Sequence, residues 1–418
     1  MDTPNISELI RDAADEFLVS PRVYRDAELY QVELKRIFHS TWVYLGHESE
    51  VANRGDYKST LIGQQPVILV RDQDDGLKAF MNFCTHRGAL LAREEYGNAR
   101  TFVCPYHAWS FRTSGELIGV TDSARYPASF TTAGKDLIPV PRLASYGGLV
   151  FGSLNADVME LGDYLGDVRA HIDRWLKRTA GSSYKVNLAH KYAFPGNWKF
   201  QSENVVDGYH PVIVHRSALS ALRKFDLLGK RVLDENTGVR QGGCVRGFPN
   251  GHSTLEAGSA RDLIFADPEA QRKYVEKLAA LHGAENVTNV LSNQHILIFP
   301  NLAIMDMNIR VIQPVAMNRT EVYSYPVSIV DASDNINAAR LQELQLRLGT
   351  AGMVQTDDID IFGGNQTGMS VEAAQWLILS RGLEREEVTP SGVRIGEYSD
   401  EVPQRSFWRQ WRAMMGGV

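Results

Sequence analysis

Apolar positions Tyr30, Leu34, Ile37 and Phe38 recur at helical spacing behind Asp26, a residue type that caps helix N-termini. From Trp42 the texture changes. Pro66–Val70 and Leu77–Phe80 are short apolar runs with Asp75-Gly76 between them, which predicts a β-hairpin. Phe102–Phe111 and Glu116–Val120 form a second pair around Ser114-Gly115, and Gly147–Gly152 is a third short run. Residues 41–155 therefore read as a small all-β domain. Beyond it, Tyr192–Val206, with Pro195-Gly196 inside, leads into a compact run bearing His210 and His215. Ile296–Val315 and Glu321–Val330 predict antiparallel strands joined through Asn318-Arg319. Leu341, Leu344 and Leu348 mark a helix. Phe407, Trp408, Trp411 and Met415 mark the apolar face of a terminal helix. No repeat, low-complexity tract or long linker interrupts the pattern.

At 418 residues the chain is too long for one ordinary core, which favours two domains. Hydrophobic residues make up 44% and charged residues 22%, ordinary for a globular protein. The net charge of −6 gives no footprint for nucleic acid, and no apolar run is long enough to cross a bilayer. The N-terminal stretch is acidic and lacks the regions of a secretory signal, so a cytoplasmic location is expected. Three cysteines do not make a disulfide framework. Two of them, Cys84 and Cys104, sit beside histidines, which reads as metal chemistry.

The first constellation is Cys84-Thr-His86 and Cys104-Pro-Tyr-His107, separated by residues 87–103. A structural zinc site is the plainer reading of two cysteines and two histidines. Zinc-finger spacing, however, groups like ligands together, whereas each arm here carries one of each. That order fits a 2Fe–2S cluster with two cysteines on one iron and two histidines on the other. Phe83, Pro105, Tyr106 and Trp109 would partly shield it. The segments Asn82–Gly88 and Cys104–Trp109 resemble the Rieske ring-hydroxylating oxygenases, in their large (α) subunit. Ala108 stands where many members have Gly. Alanine is also small, so little consequence is expected beyond a tighter backbone choice.

The second constellation is Asp207-Gly-Tyr-His210 followed by His215. Alone, it could be a polar helix face. The functional alternative is a non-haem Fe(II) site of two histidines and one carboxylate, with positions left for O2. Gly196–Phe200 and Glu203–His215 resemble the family's mononuclear iron motif. On a straight helix Asp207 and His210 share a face, but His215 would lie roughly 140° from His210. Pro211 disfavours helix at His210, so a kink or a π or 3₁₀ adjustment is predicted between residues 205 and 216. The third ligand follows from resemblance only. Gly349–Asp360 resembles the family's carboxylate motif, in which the second Asp of the pair binds iron. That residue is Asp358, with Asp357 as runner-up and Asp360 a solvated helix residue. The resemblance also implies that Asp207 orients His210 and bridges to a Rieske histidine, here His107, of a neighbouring subunit. Within one subunit of that family the two metals lie far apart, so a ring of subunits is implied.

His39, His47, His171, His190, His252, His282 and His295 lack a partner at ligand spacing and read as structural, as does the Cys244 thiol. Pro249–Ser253 resembles a segment of the benzoate and anthranilate branch, which brings His252 near the pocket. No G-x-G-x-x-G lies between a strand and a helix, so electrons are expected from a separate ferredoxin or NADH-dependent reductase.

The resemblance covers nearly the whole chain. Trp42–Ser49, Gly147–Ser153 and Ser406–Trp408 look most like the branch acting on benzoate, anthranilate, salicylate and terephthalate. It implies an α+β fold, with an all-β Rieske domain (41–155) inserted into a helix-grip catalytic domain built on an antiparallel sheet (1–40 and 156–418). It further implies one 2Fe–2S cluster, one mononuclear Fe(II), O2 and an aromatic substrate, and a homotrimer of α subunits with or without a small β subunit. The implied reaction is cis-dihydroxylation of an aromatic carboxylate. A Rieske monooxygenase is one alternative, and a Rieske electron-transfer protein is another of a different class. Val206, Val212, Leu348 and Val354 are pocket candidates by position, and core packing is their equal competitor. A carboxylate would want a buried Arg or other polar anchor, which no local pattern identifies.

Overall fold

The computed structural model describes residues 6–225, 243–260, 263–349 and 352–416. They form two compact units. One is Phe38–Leu161, and the other joins the chain up to Ile37 with the chain from Gly162 onward.

The Phe38–Leu161 unit is a set of short antiparallel strands. Gln65–Arg71 and Leu77–Met81 form the expected hairpin, with Ile68 opposite Phe80. Its turn forms because Asp72 Oδ1 accepts the N–H groups of Asp74 and Gly76, while Asp75 takes φ +70°. The run 102–111 is not one strand. It divides into Thr101–Val103 and Ser110–Arg112, with a loop between them. Ile68, Phe80, Phe102, Trp109 and Phe111 pack with the two buried thiols, Cys84 and Cys104, in a single core.

In the other unit a ten-stranded antiparallel sheet dominates. Ile296–Val315 was expected as one long strand, but the structure divides the region into three strands: Ser292–Ile298, Leu302–Met305 and Asn308–Ala316. These strands are buried almost throughout, so no polar–apolar alternation betrays the turns. Arg319–Ile329 returns along Asn308–Ala316 as predicted.

Helices Asp334–Leu348, Gln355–Gly368 and Val402–Gly416 accompany the sheet. On the last of these, Phe407, Trp408, Trp411 and Met415 are all buried. The short helix Trp198–Asn204 is capped by the Asn197 side chain on the Lys199 N–H. Glu33 anchors it, accepting from Lys199 Nζ, Trp198 Nε1 and, on the terminal helix, Trp411 Nε1. Next along, Glu203 accepts from Tyr24 and Trp408, and burial still pushes its carboxyl up to about 7. The helix is thus held from behind, and its last residue, Asn204, faces the candidate iron site.

Candidate functional site

Two loops of the same shape carry the first constellation. The Cys84 N–H donates to Ala89 O at 2.9 Å and the Gly88 N–H to Cys84 O at 2.8 Å. In the second loop the Cys104 N–H donates to Trp109 O at 2.8 Å and the Ala108 N–H to Cys104 O at 2.9 Å. The loops bring the His86 and His107 rings to 4.8 Å between centroids, with Trp109 stacked on His86. Both thiols are buried, and burial followed by the neighbouring Cys104 thiol pushes Cys84 up. Among the described residues, neither His86 Nδ1 nor His107 Nδ1 has a hydrogen-bond partner, although both atoms are buried. Two facing thiols and two orphaned imidazole nitrogens suit a 2Fe–2S group. Phe83 and Tyr106 remain 43% and 56% exposed, so the shield is partial.

The matching loop positions Gly88 and Ala108 both have positive φ, +77° and +59°. Alanine in the left-handed region costs roughly 1 kcal/mol or more, so the substitution is not neutral as expected from size. Ala108→Gly should therefore stabilise this unit by about 1 kcal/mol. Thermal loss of the cluster's visible absorbance, measured beside wild type, checks it.

The second constellation sits where helical structure is interrupted twice. The helix ends at Asn204, and a new short one, Pro211–Val214, begins just after His210. His215 then leaves helical geometry at φ −96°, ψ 23° before Arg216–Lys224 resumes. The kink predicted there is a full break. Proline at the first helical position needs no N–H partner, which favours a restart there. The break also removes the rotation that would separate the two imidazoles.

His210, His215 and Asp358 each offer one ligand atom, and these atoms lie within 4.8 Å of one another. Asp358 Oδ1 is 3.3 Å from His215 Nε2 and 3.6 Å from His210 Nε2. Behind each imidazole stands a carboxylate. Asp207 Oδ2 is 3.2 Å from His210 Nδ1, and Asp357 Oδ2 is 3.2 Å from His215 Nδ1. Each carboxylate favours the tautomer with its proton on Nδ1, which turns the Nε2 lone pair toward Asp358. Burial opposes charge on His215, but Asp358 and Asp357 outweigh it and hold the imidazole above its usual range. Burial likewise opposes the Asp207 carboxylate, but the facing His210 ring and hydrogen bonds from the backbone N–H groups of Tyr209 and His210 hold it low. This donor set of two imidazoles and one carboxylate suits a mononuclear Fe(II).

Asp357 therefore backs a candidate ligand, while Asp360 is exposed on the same helix. Asp357→Asn should lower iron retention by about 10–100-fold and leave the Rieske spectrum unchanged. Iron content after graded chelator dialysis measures this.

Asn204 escaped the sequence reading. Its Nδ2 lies 3.2 Å from both His210 Nε2 and Asp358 Oδ1. No spacing rule marks it, because the chain stops being helical between it and His210. His295, grouped with the structural histidines, is also at the site's edge. Its Nδ1 is 2.8 Å from Val205 O, and its ring lines a cavity with Leu348, Met305 and Asn308. Of the other pocket candidates, Val206 is buried and Val212 and Val354 are half-buried. His252 is pinned between Tyr164 O at 2.8 Å and the Phe299 N–H at 3.1 Å, a structural role.

Residues 41–141 match the Rieske [2Fe-2S] domain model, and residues 181–417 match the ring hydroxylating alpha subunit (catalytic domain) model. The chain is 33% identical to a 2-halobenzoate 1,2-dioxygenase large subunit from Burkholderia cepacia, over 95% of this chain and 89% of that one. It is 32% identical to a toluate 1,2-dioxygenase α subunit from Pseudomonas putida, over 97% and 93%. A naphthalene 1,2-dioxygenase structure superimposes with a TM-score of 0.87 at 27% identity, covering 99% of this chain and 95% of that one. Among the described residues no helix is long and apolar enough to cross a membrane.

Proposed function

The chain belongs to the Rieske ring-hydroxylating oxygenases as an α subunit, and from that premise we propose that it dihydroxylates the ring of an aromatic carboxylate to a cis-dihydrodiol. Members of the family are terminal oxygenases that use O2 and take electrons from reductase or ferredoxin partners. When bound, the cluster supplies an electron and the mononuclear iron a place where O2 and substrate meet. Cys84, His86, Cys104 and His107 would hold the first, and His210, His215 and Asp358 the second.

One observation carries the reading. Two imidazoles, each backed by a carboxylate, converge on the Asp358 carboxylate in a chain that matches benzoate-type dioxygenases over nearly its full length. Asp207 and Asp357 set the imidazole tautomers, and Asn204 keeps an amide donor beside the ligand atoms. In this reading the active assembly is a homotrimer, with or without a small β subunit. Electrons then pass from His107 of one subunit through Asp207 of the next.

The test is turnover of benzoate, anthranilate and salicylate with a surrogate reductase chain in ¹⁸O2. A cis-diol carrying two labelled atoms is expected. One labelled atom would move the assignment to monooxygenation. An iron content of two per chain, with no product, would reduce the protein to an electron carrier.

A further inference from the structure

The aromatic donors packed on the helix Trp198–Asn204 are paired differently from others in the fold. A buried phenol or indole needs an acceptor for its proton. Elsewhere a backbone carbonyl serves: Tyr164 donates to Phe299 O, Tyr184 to Trp175 O, Tyr274 to Arg178 O and Trp42 to Met159 O. At this helix the acceptors are carboxyl groups. The Tyr24 hydroxyl donates to Glu203 Oε2 at 2.8 Å, and Trp408 Nε1 to Glu203 Oε1 at 2.6 Å. Trp198 Nε1 and Trp411 Nε1 donate to Glu33 at 2.9 and 2.7 Å. A backbone carbonyl satisfies such a donor at a smaller burial cost than a carboxylate does. Only the carboxylate can also take the proton.

Glu33 is balanced by the Lys199 ammonium. Glu203 is the base of the group: burial raises its carboxyl to about 7, so its ionised form can accept a proton at neutral pH. Two routes join this cluster to the iron site. Glu203 is bonded along the chain to Asn204, whose Nδ2 is 3.2 Å from His210 Nε2 and from Asp358 Oδ1. On the other side, Phe362 lies one turn beyond Asp358 on the same helix face. Its ring is 6.3 Å from that of Phe200, which stacks on Tyr24 at 4.6 Å. Past Tyr24 the aromatic series continues to Trp408 at 5.6 Å and from there to Trp411 at 5.4 Å between centroids. Tyr24, Trp408 and Trp411 are all buried.

We propose that Tyr24, backed by Trp408, is a protective electron donor that reduces an oxidising equivalent stranded at the iron site while Glu203 takes the phenol's proton. The proposal rests on the oxygenase reading and adds a second function to it: containing the oxidant when O2 has been activated with no ring to receive it. The Tyr24 phenol loses one electron and one proton and becomes a neutral phenoxyl. The electron removes one oxidising equivalent from the iron site, and the proton turns the Glu203 carboxylate into the acid. Trp408 and then Trp411 can pass an electron to the phenoxyl in turn. One electron from a thiol or ascorbate, with the proton held on Glu203, restores the phenol.

The test is reaction of the holoenzyme with hydrogen peroxide, without aromatic substrate, freeze-quenched and read by electron paramagnetic resonance. Wild type, wild type grown on ring-deuterated tyrosine, Tyr24→Phe and Glu203→Gln are compared. Wild type should give an organic radical signal whose hyperfine structure collapses on tyrosine deuteration. Tyr24→Phe should lose that signal while its coupled product yield stays that of wild type. Glu203→Gln, which keeps the side chain's shape and removes the base, should lose it as well. Peptide mass analysis should then find more oxygen added to His210 and His215 in both variants than in wild type. A purely structural tyrosine would leave the radical yield and the oxidation pattern unchanged. No radical in wild type, a signal that ignores tyrosine deuteration, or an undiminished signal in Tyr24→Phe overturns the donor. Parallel wild-type samples with benzoate, anthranilate and salicylate separate this from failure of the oxygenase reading. Diol formed there, with no radical in the substrate-free sample, overturns the donor alone. Neither diol nor radical overturns both.

Discussion

Replacing Asp358 by alanine is expected to abolish ring hydroxylation, by roughly three orders of magnitude or more, while leaving the Rieske spectrum untouched. The reason is geometric. Asp358 Oδ1 is the atom on which both imidazole Nε2 atoms and the Asn204 amide converge. Its removal leaves two histidines and no anion to balance a dication. Asp357 cannot take over, because its carboxylate is engaged with the far side of the His215 ring. Iron analysis should fall from about three to about two per chain. The paired variant Asp357→Asn should retain turnover when iron is in excess. If instead Asp357→Asn lost the iron permanently and Asp358→Ala kept it, the two carboxylates would exchange roles.

What could be read before the fold was known, and what could not, follows the range of the interactions involved. The hairpin at Asp75-Gly76 and the cap at Asp26 are local devices, and both stand where the sequence puts them. Ligand spacing at Cys84–His86 and Cys104–His107 is equally local. The single strand expected over Ile296–Val315 was wrong because a strand buried on both faces hides its turns. Ala108 looked harmless because size can be read from a letter and φ cannot. Asn204 was missed, and Asp357 was read only as the runner-up ligand, for a common reason. Each acquires its role from a group distant in sequence: Asp358 for Asn204 and His215 for Asp357.

Asp207→Ala is expected to keep both metal sites yet slow coupled turnover by about two orders of magnitude. Asp207 is not one of the three candidate ligand residues, so the proposed iron-binding set survives its loss. What disappears is the contact to His210 Nδ1 and the two backbone N–H bonds that Oδ1 accepts from Tyr209 and His210. Its side chain is 29% exposed, so part of the carboxylate remains available to His107 of the partner subunit in the proposed trimer. Two roles are then separable. A support for His210 predicts lower iron retention with normal turnover once iron is restored. A bridge for electrons predicts full iron and a normal Rieske spectrum, but slow oxidation of the reduced cluster when substrate and O2 are mixed in. Asp207→Asn keeps the side chain's shape and one accepting oxygen while removing the charge, so it should restore the backbone bonds more fully than the electron path. Full activity in Asp207→Ala would sink the bridge. Slow cluster oxidation at full iron content would instead show that the His210 side of the site is where the electron enters.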